Sequence, residues 1–123
     1  MTTKHFITFF LESYNTIKML HWFTASYAEH VALDKLAEAF HSLSDKFVEV
    51  YMGKHGRSAS MPRKDAAISA NASGTAMRIL DECLKYCTTD LNKFITAKDT
   101  DLANIRDELI ASLNQTKYLI ALR

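Results

Sequence analysis

The chain has 123 residues, with 15 Lys and Arg against 14 Asp and Glu, and a formal net charge of +1. That balance offers neither the basic excess that would hold nucleic acid or an anionic membrane nor an acidic tail that would repel them. Residues 1–123 are expected to form one domain, and 48% hydrophobic residues are enough for a core.

Three Gly and one Pro are few breakers, so long helices are favoured. The opening stretch, MTTKHFITFFLESYN, carries an apolar patch interrupted by Glu12 and Asn15. It reads neither as a signal peptide nor as a membrane span, and a cytoplasmic, reducing compartment is the expectation.

The first predicted helix runs from about Thr3 to about Tyr27, with Phe6, Phe10, Tyr14, Ile17 and His21 on one stripe. Ile7, Phe9 and Leu11 widen that stripe, as in a helix central to a core or shared with a partner chain. Thr24 to Glu29 is a short break. A second helix follows from about His30 to about Met52, with Leu33, Leu36, Phe40, Leu43, Phe47 and Val50 apolar. Gly53 and Gly56 are expected to end it.

Residues 54–73 hold the only Pro and many small polar residues, and read as a long solvated crossover in which Lys64 to Ala70 could form a short helix. A third helix is predicted from about Thr75 to about Thr96, and a fourth from about Asp101 to Leu122 with Asp99 or Thr100 as its N-cap. Two short breaks around one long connection describe two helical hairpins joined by a crossover. The predicted fold is therefore all-α, a ferritin-like four-helix bundle.

Cys83 and Cys87 lie four apart, on one face of the third helix. A redox pair or soft metal ligands would use that spacing, but two small residues in a packed face is the simpler expectation. His5 and His55 fit no pattern and are expected in solvent, as are Asp107 and Glu108.

The second helix carries the pattern with chemistry in it. At about 100° per residue, His30, Asp34, Glu38, His41, Asp45 and Glu49 fall between roughly 60° and 160° from Leu33, beside the core stripe. Such a face is ordinarily just solvated. It would also suit a ligand stripe meeting a second copy of itself across a two-fold axis. Carboxylate oxygens with imidazole nitrogens suit iron, manganese or zinc, and the lack of cysteine in the set argues against a structural zinc site. His21, on the core stripe of the first helix, completes H-x8-H-x3-D-x10-D-x3-E from His21 to Glu49.

This run resembles the Dps proteins, the small ferritins of starved bacteria, whose first two helices carry a histidine in a His-Trp pair, then H-x3-D, then D-x3-E. The specific resemblance covers about a quarter of the chain, and its compact form is most similar to members encoded by phages and other viruses. The resemblance implies a ferroxidase centre at a dimer interface, where Fe(II) is oxidised by peroxide or oxygen and then sequestered. His21, His30 and Asp34 would come from one chain, and Asp45 and Glu49 from its mate, holding one or two iron ions. Zn or Mn are substitutes. Trp22 would correspond to the family's aromatic that takes part in electron transfer, or would simply fill the dimer core. The resemblance implies a homo-oligomer, at least a two-fold dimer and at its largest a dodecameric cage.

Two features depart from the family. The His21–His30 gap is shorter by about one helical turn, and Lys4 alone makes no basic DNA-binding tail. His41 has no family counterpart. The competing reading is a helical homo-oligomer whose polar stripe serves packing or a partner, with metal weak or absent. A phosphotransfer histidine bundle would need an exposed histidine beside small residues and a lysine, and no histidine here meets that well.

Overall fold

The computed structural model describes residues 4–57 and 75–122. It contains α1 (Lys4–Phe23), α2 (Tyr27–His55), α3 (Ala76–Thr88), a 3-10 turn (Leu91–Phe94) and α4 (Thr100–Ala121). No strand occurs among the described residues, so the fold is all-α, with the four helices arranged as a helical bundle. The proposed short helix at Lys64 to Ala70 lies outside the described residues.

The break between α1 and α2 is shorter than the sequence suggests. It spans only residues 24–26, and α2 starts at Tyr27. Ser26 is the N-cap, and its hydroxyl accepts the Glu29 backbone N–H. Glu29 Oε2 in turn accepts the Thr24 hydroxyl at 3.3 Å. A Ser with a Glu three residues on is a capping signal, and it moves the helix start ahead of His30.

At its other end α2 runs through Gly53, where a Cβ would meet nothing within 4 Å, and stops at Gly56. Gly56 has φ 92°, which disfavours any side chain, and its N–H bonds the Met52 carbonyl at 2.9 Å.

α3 ends well before the predicted Thr96. The Thr88 and Thr89 hydroxyls donate to the Leu84 and Lys85 carbonyls, at 2.9 and 2.6 Å. Side chains thus take carbonyls that a continuing helix would use, and the backbone turns away at Thr89. The following 3-10 turn still buries Leu91 and Phe94. The apolar period therefore persists while the path changes.

α2 packs against both α1 and α4, α4 packs against α3, and α1 touches α3 only slightly. Going round the bundle the order is α1, α2, α4, α3. One buried cluster joins them, centred on Phe6, Phe40 and Phe47, each with no exposed surface. Phe47 meets Phe6 and Phe10 edge to face, with centroids 5.3 and 5.6 Å apart. Cys83 and Cys87 are free and buried, and burial pushes their thiols up to about 11 and about 12. They fill space in the core, as the simpler reading expected.

Where α2 ends, a carboxylate clamps it to the start of α4. Asp99 is 1% exposed. It accepts from Lys54 Nζ at 2.7 Å, His55 Nε2 at 3.1 Å, and the Thr96 N–H and hydroxyl at 2.9 and 3.0 Å. His55 is exposed, as expected, and is also a partner of Asp99, which its isolated position did not suggest. Asp99 does stand at the N-cap of α4, but its oxygens turn back to Thr96 and not forward into the helix. Lys54 first, and then the Thr96 N–H, hold the Asp99 carboxyl far below its usual range.

No helix among the described residues is long and apolar enough to cross a membrane. His5, exposed as expected, also bonds the Tyr86 hydroxyl through Nδ1 at 2.6 Å and stacks on its ring. Asp107 and Glu108 are exposed as expected.

Two outcomes check this packing. Phe47→Ala should lower unfolding free energy by about 3–5 kcal/mol in denaturant titration, because the vacated ring leaves a cavity the aromatic cluster cannot close. Asp99→Asn should be less stable at neutral pH. A folded carboxyl below its unfolded value stabilises above pH of about 4 and loses that contribution as pH falls. The variant's Tm should therefore drop less between pH 6 and 3 than the parent's, read by circular dichroism; an equal drop would mean the clamp carries none of the acid sensitivity.

Candidate metal centre

The corner between α1 and α2 brings His21 and His30 together. His21 stands in the last turn of α1 and is 7% exposed. His30 stands in the first turns of α2 and is half-buried. Their rings stack with centroids 3.9 Å apart and planes 20° apart. His21 Nδ1 donates to the His30 carbonyl, and His30 Nδ1 donates to the His21 carbonyl, both at 2.8 Å. Tyr27 adds its ring beside His30 at 6.2 Å.

The direction of these bonds follows from their acceptors. A carbonyl oxygen only accepts, so each Nδ1 must carry a hydrogen. In the neutral ring that leaves Nε2 as a bare lone pair on both histidines. This is the arrangement that readies an imidazole for a metal: one nitrogen is anchored to backbone, and the other is free to ligate.

His21 Nε2 lies 3.7 Å from Asp34 Oδ1, whose side chain is exposed. Two donors at about 2.0–2.2 Å from one ion are themselves about 3–3.5 Å apart. A shift of a few tenths of an ångström would let His21 and Asp34 share a cation.

Asp45 and Glu49 lie further along α2, exposed and one turn apart. Asp45 raises the Glu49 carboxyl above its usual range, because a Glu49 proton can be shared with the neighbouring carboxylate and the Asp45 charge repels the ionised form. A cation between them would remove the repulsion. Asp45 lies eleven positions beyond Asp34, about 16 Å along the helix. One chain therefore cannot bring all five residues to one ion. Consistently, no group of three or more His, Cys, Asp or Glu among the described residues is placed to hold a metal. His21, His30 and Asp34 are gathered at one corner, without closing into a three-donor set. Asp45 and Glu49 form a separate pair.

Trp22 is 63% exposed, with Lys18 Nζ 5.2 Å from its ring centroid. Phe23 and Tyr27, both 80% exposed, and Val31 place further apolar surface at the same corner. Sequence reasoning missed this patch, and also missed Thr24, Ser26 and Glu29 as the groups that fix the corner. The Ser-x-x-Glu spacing was the signal available for the second.

The structure thus defines a helical bundle with two groups of imidazole and carboxylate side chains on one hairpin, one partly buried at the corner and one exposed along α2. Residues 21–120 match the model of a family of unknown function, DUF5856, and the chain belongs to that family. The matched span includes His21, His30, Asp34, Asp45 and Glu49. No curated protein matches the chain. No solved structure matches it.

The tautomers are open to direct measurement. Long-range 1H–15N spectra of the metal-free protein should show His21 and His30 protonated at Nδ1 in the neutral form. Nε2–H tautomers would mean that the reciprocal bonds do not form in solution.

Proposed function

We propose that this protein binds Fe(II) and oxidises it, with peroxide or oxygen, at a site shared between two chains of a Dps-like, ferritin-like bundle. The observation that carries this reading is the reciprocal His21–His30 bonding, which leaves both Nε2 atoms bare in the neutral rings, that of His21 3.7 Å from the Asp34 carboxylate. The donor chemistry fits the substrate, since imidazole nitrogens and carboxylate oxygens suit Fe(II) and leave room for an oxidant.

In this reading His21, His30 and Asp34 form one half of the site. Asp45 and Glu49 of a second chain supply the other half. Two Fe(II) ions side by side would each give one electron to a peroxide. Its O–O bond breaks, and two protons complete two waters, so no hydroxyl radical is released. Trp22, largely exposed at the same corner, would take part in electron transfer in place of one iron, or fill the dimer core. The oxidised iron is then sequestered, in a larger shell if the dimers assemble into one. Zn or Mn would occupy the same donors.

A non-catalytic reading has its own observation. The exposed apolar corner of Trp22, Phe23, Tyr27 and Val31 would suit a homo-oligomer that uses α2 only for packing. Iron binding separates the two. Anaerobic calorimetric titration of metal-stripped protein with Fe(II) should show saturable binding of one or two ions per chain. Asp34→Ala and Glu49→Ala should each weaken it by at least about tenfold, as loss of a ligand does. Helicity should be unchanged, because both side chains are exposed. Absence of saturable binding by the parent would leave the packing reading.

A further inference from the structure

We propose that Tyr86 and His5 form a proton-coupled redox pair, in which Tyr86 gives one electron to a strong one-electron oxidant from solvent while its phenol proton passes to His5 Nδ1. This goes beyond the iron reading and does not rest on it. His21 lies sixteen positions beyond His5, about 24 Å along α1, so the pair is remote from the histidine corner.

The contact joins the first turn of α1 to the last turn of α3. The Tyr86 hydroxyl lies 2.6 Å from His5 Nδ1. An N–H donor usually stands about 2.7–3.2 Å from its oxygen acceptor, whereas hydroxyl donors come closer. The phenol is therefore the donor and the Nδ1 lone pair the acceptor. In the neutral ring that puts the hydrogen on Nε2, the opposite tautomer to His21 and His30. Among the described residues no other tyrosine hydroxyl is bonded to an imidazole. Tyr14 and Tyr51 bring only their rings near His41 and His55.

The surroundings decide what this bond can do. Tyr86 is half-buried, with its ring stacked on Phe9 at 3.7 Å and on His5 at 5.4 Å. Burial above all, with repulsion by Asp90 and Cys87 added, pushes the phenol well above its usual range. Loss of the proton alone is thus closed at neutral pH. Loss of an electron changes this, because an oxidised phenol is a strong acid. With an acceptor already in place, electron and proton leave together, and no uncompensated charge forms on a half-buried ring. The Tyr86 O–H bond breaks and an N–H bond forms at His5 Nδ1. One phenol and one oxidant give one phenoxyl radical, one reduced oxidant and one imidazolium. His5 is exposed, so its Nε2–H then releases a proton to water. Phe9 covers one face of the ring and limits coupling of the radical to other molecules.

The test uses the full, metal-stripped chain with Trp22, Tyr14, Tyr27, Tyr51 and Tyr118 changed to Phe, and flash-generated ruthenium(III) tris-bipyridine as oxidant. Transient absorption and electron paramagnetic resonance should show a phenoxyl radical at Tyr86. Adding His5→Phe keeps a ring for stacking but removes the proton acceptor. It should slow the oxidation by at least about tenfold, since a positioned base contributes about 10²–10⁴-fold. A companion chain that keeps Tyr118 in place of Tyr86 should react more slowly, although Tyr118 is 64% exposed. Equal rates with and without His5→Phe overturn the proposal, as does a Tyr118 chain that reacts as fast as the Tyr86 chain. Circular dichroism checks that each chain is folded. Should the multiple substitution prevent folding, long-range 1H–15N spectra of the unaltered chain decide the direction of the bond: His5 should carry its hydrogen on Nε2, and an Nδ1–H tautomer overturns the pair.

Discussion

The reciprocal bonding of His21 and His30 ties the last turn of α1 to the first turns of α2. Two polar rings are held there at little cost, because each finds an acceptor in the other's backbone. The His21 carbonyl belongs to the end of α1, where helix carbonyls lack intrahelical partners, and His30 supplies one. The same pair of bonds fixes the angle of the hairpin, the tautomer of both rings, and the place where two bare nitrogens stand. Geometry and chemistry at this corner are therefore one constraint. A change that loosened the hairpin would also disorder the donors.

The remainder of the bundle supports that corner from a distance. The aromatic cluster of Phe6, Phe10, Phe40 and Phe47 fixes how α1 lies along α2. At the far end of α2, Asp99 joins Lys54 and His55 to the start of α4. A buried carboxylate with four donors is costly to disturb, since removing a donor leaves charge without compensation. α2 is thus fixed at both ends while one of its long faces stays uncovered. Such a helix would keep the donors of the proposed shared site at fixed spacing before a second chain arrived.

The exposed face also accounts for the composition. Trp22, Phe23, Tyr27 and Val31 expose apolar surface next to charged residues. A lone chain gains nothing from that mixture. In the proposed two-chain site the apolar residues would supply burial, and the carboxylates and imidazoles would hold iron. The near-zero net charge fits such self-association, because two copies do not repel one another strongly.

Helix content and the core stripes were legible in the residues, because burial on one face imposes a period on the chain. His21 was readable as bundle-facing for the same reason. Cys83 and Cys87 were readable as core. Boundaries were less so: side-chain caps at Ser26 and Thr89 moved α2 forward and ended α3 early, and such local bonds leave only a faint mark on periodicity. His55 showed no pattern because its partner, Asp99, is distant in sequence and meets it only in the folded chain.

The spacing from His21 to Glu49 set which residues could ligate a metal, since helical rise fixes which of them share a face. Helical rise likewise set Asp45 and Glu49 too far along α2 to join Asp34. Only the folded hairpin decided that His21 and His30 anchor each other through Nδ1 and that Asp34 comes to His21. Those outcomes depend on how two helices meet. That is set by packing and caps across the break, and not by the spacing within either helix.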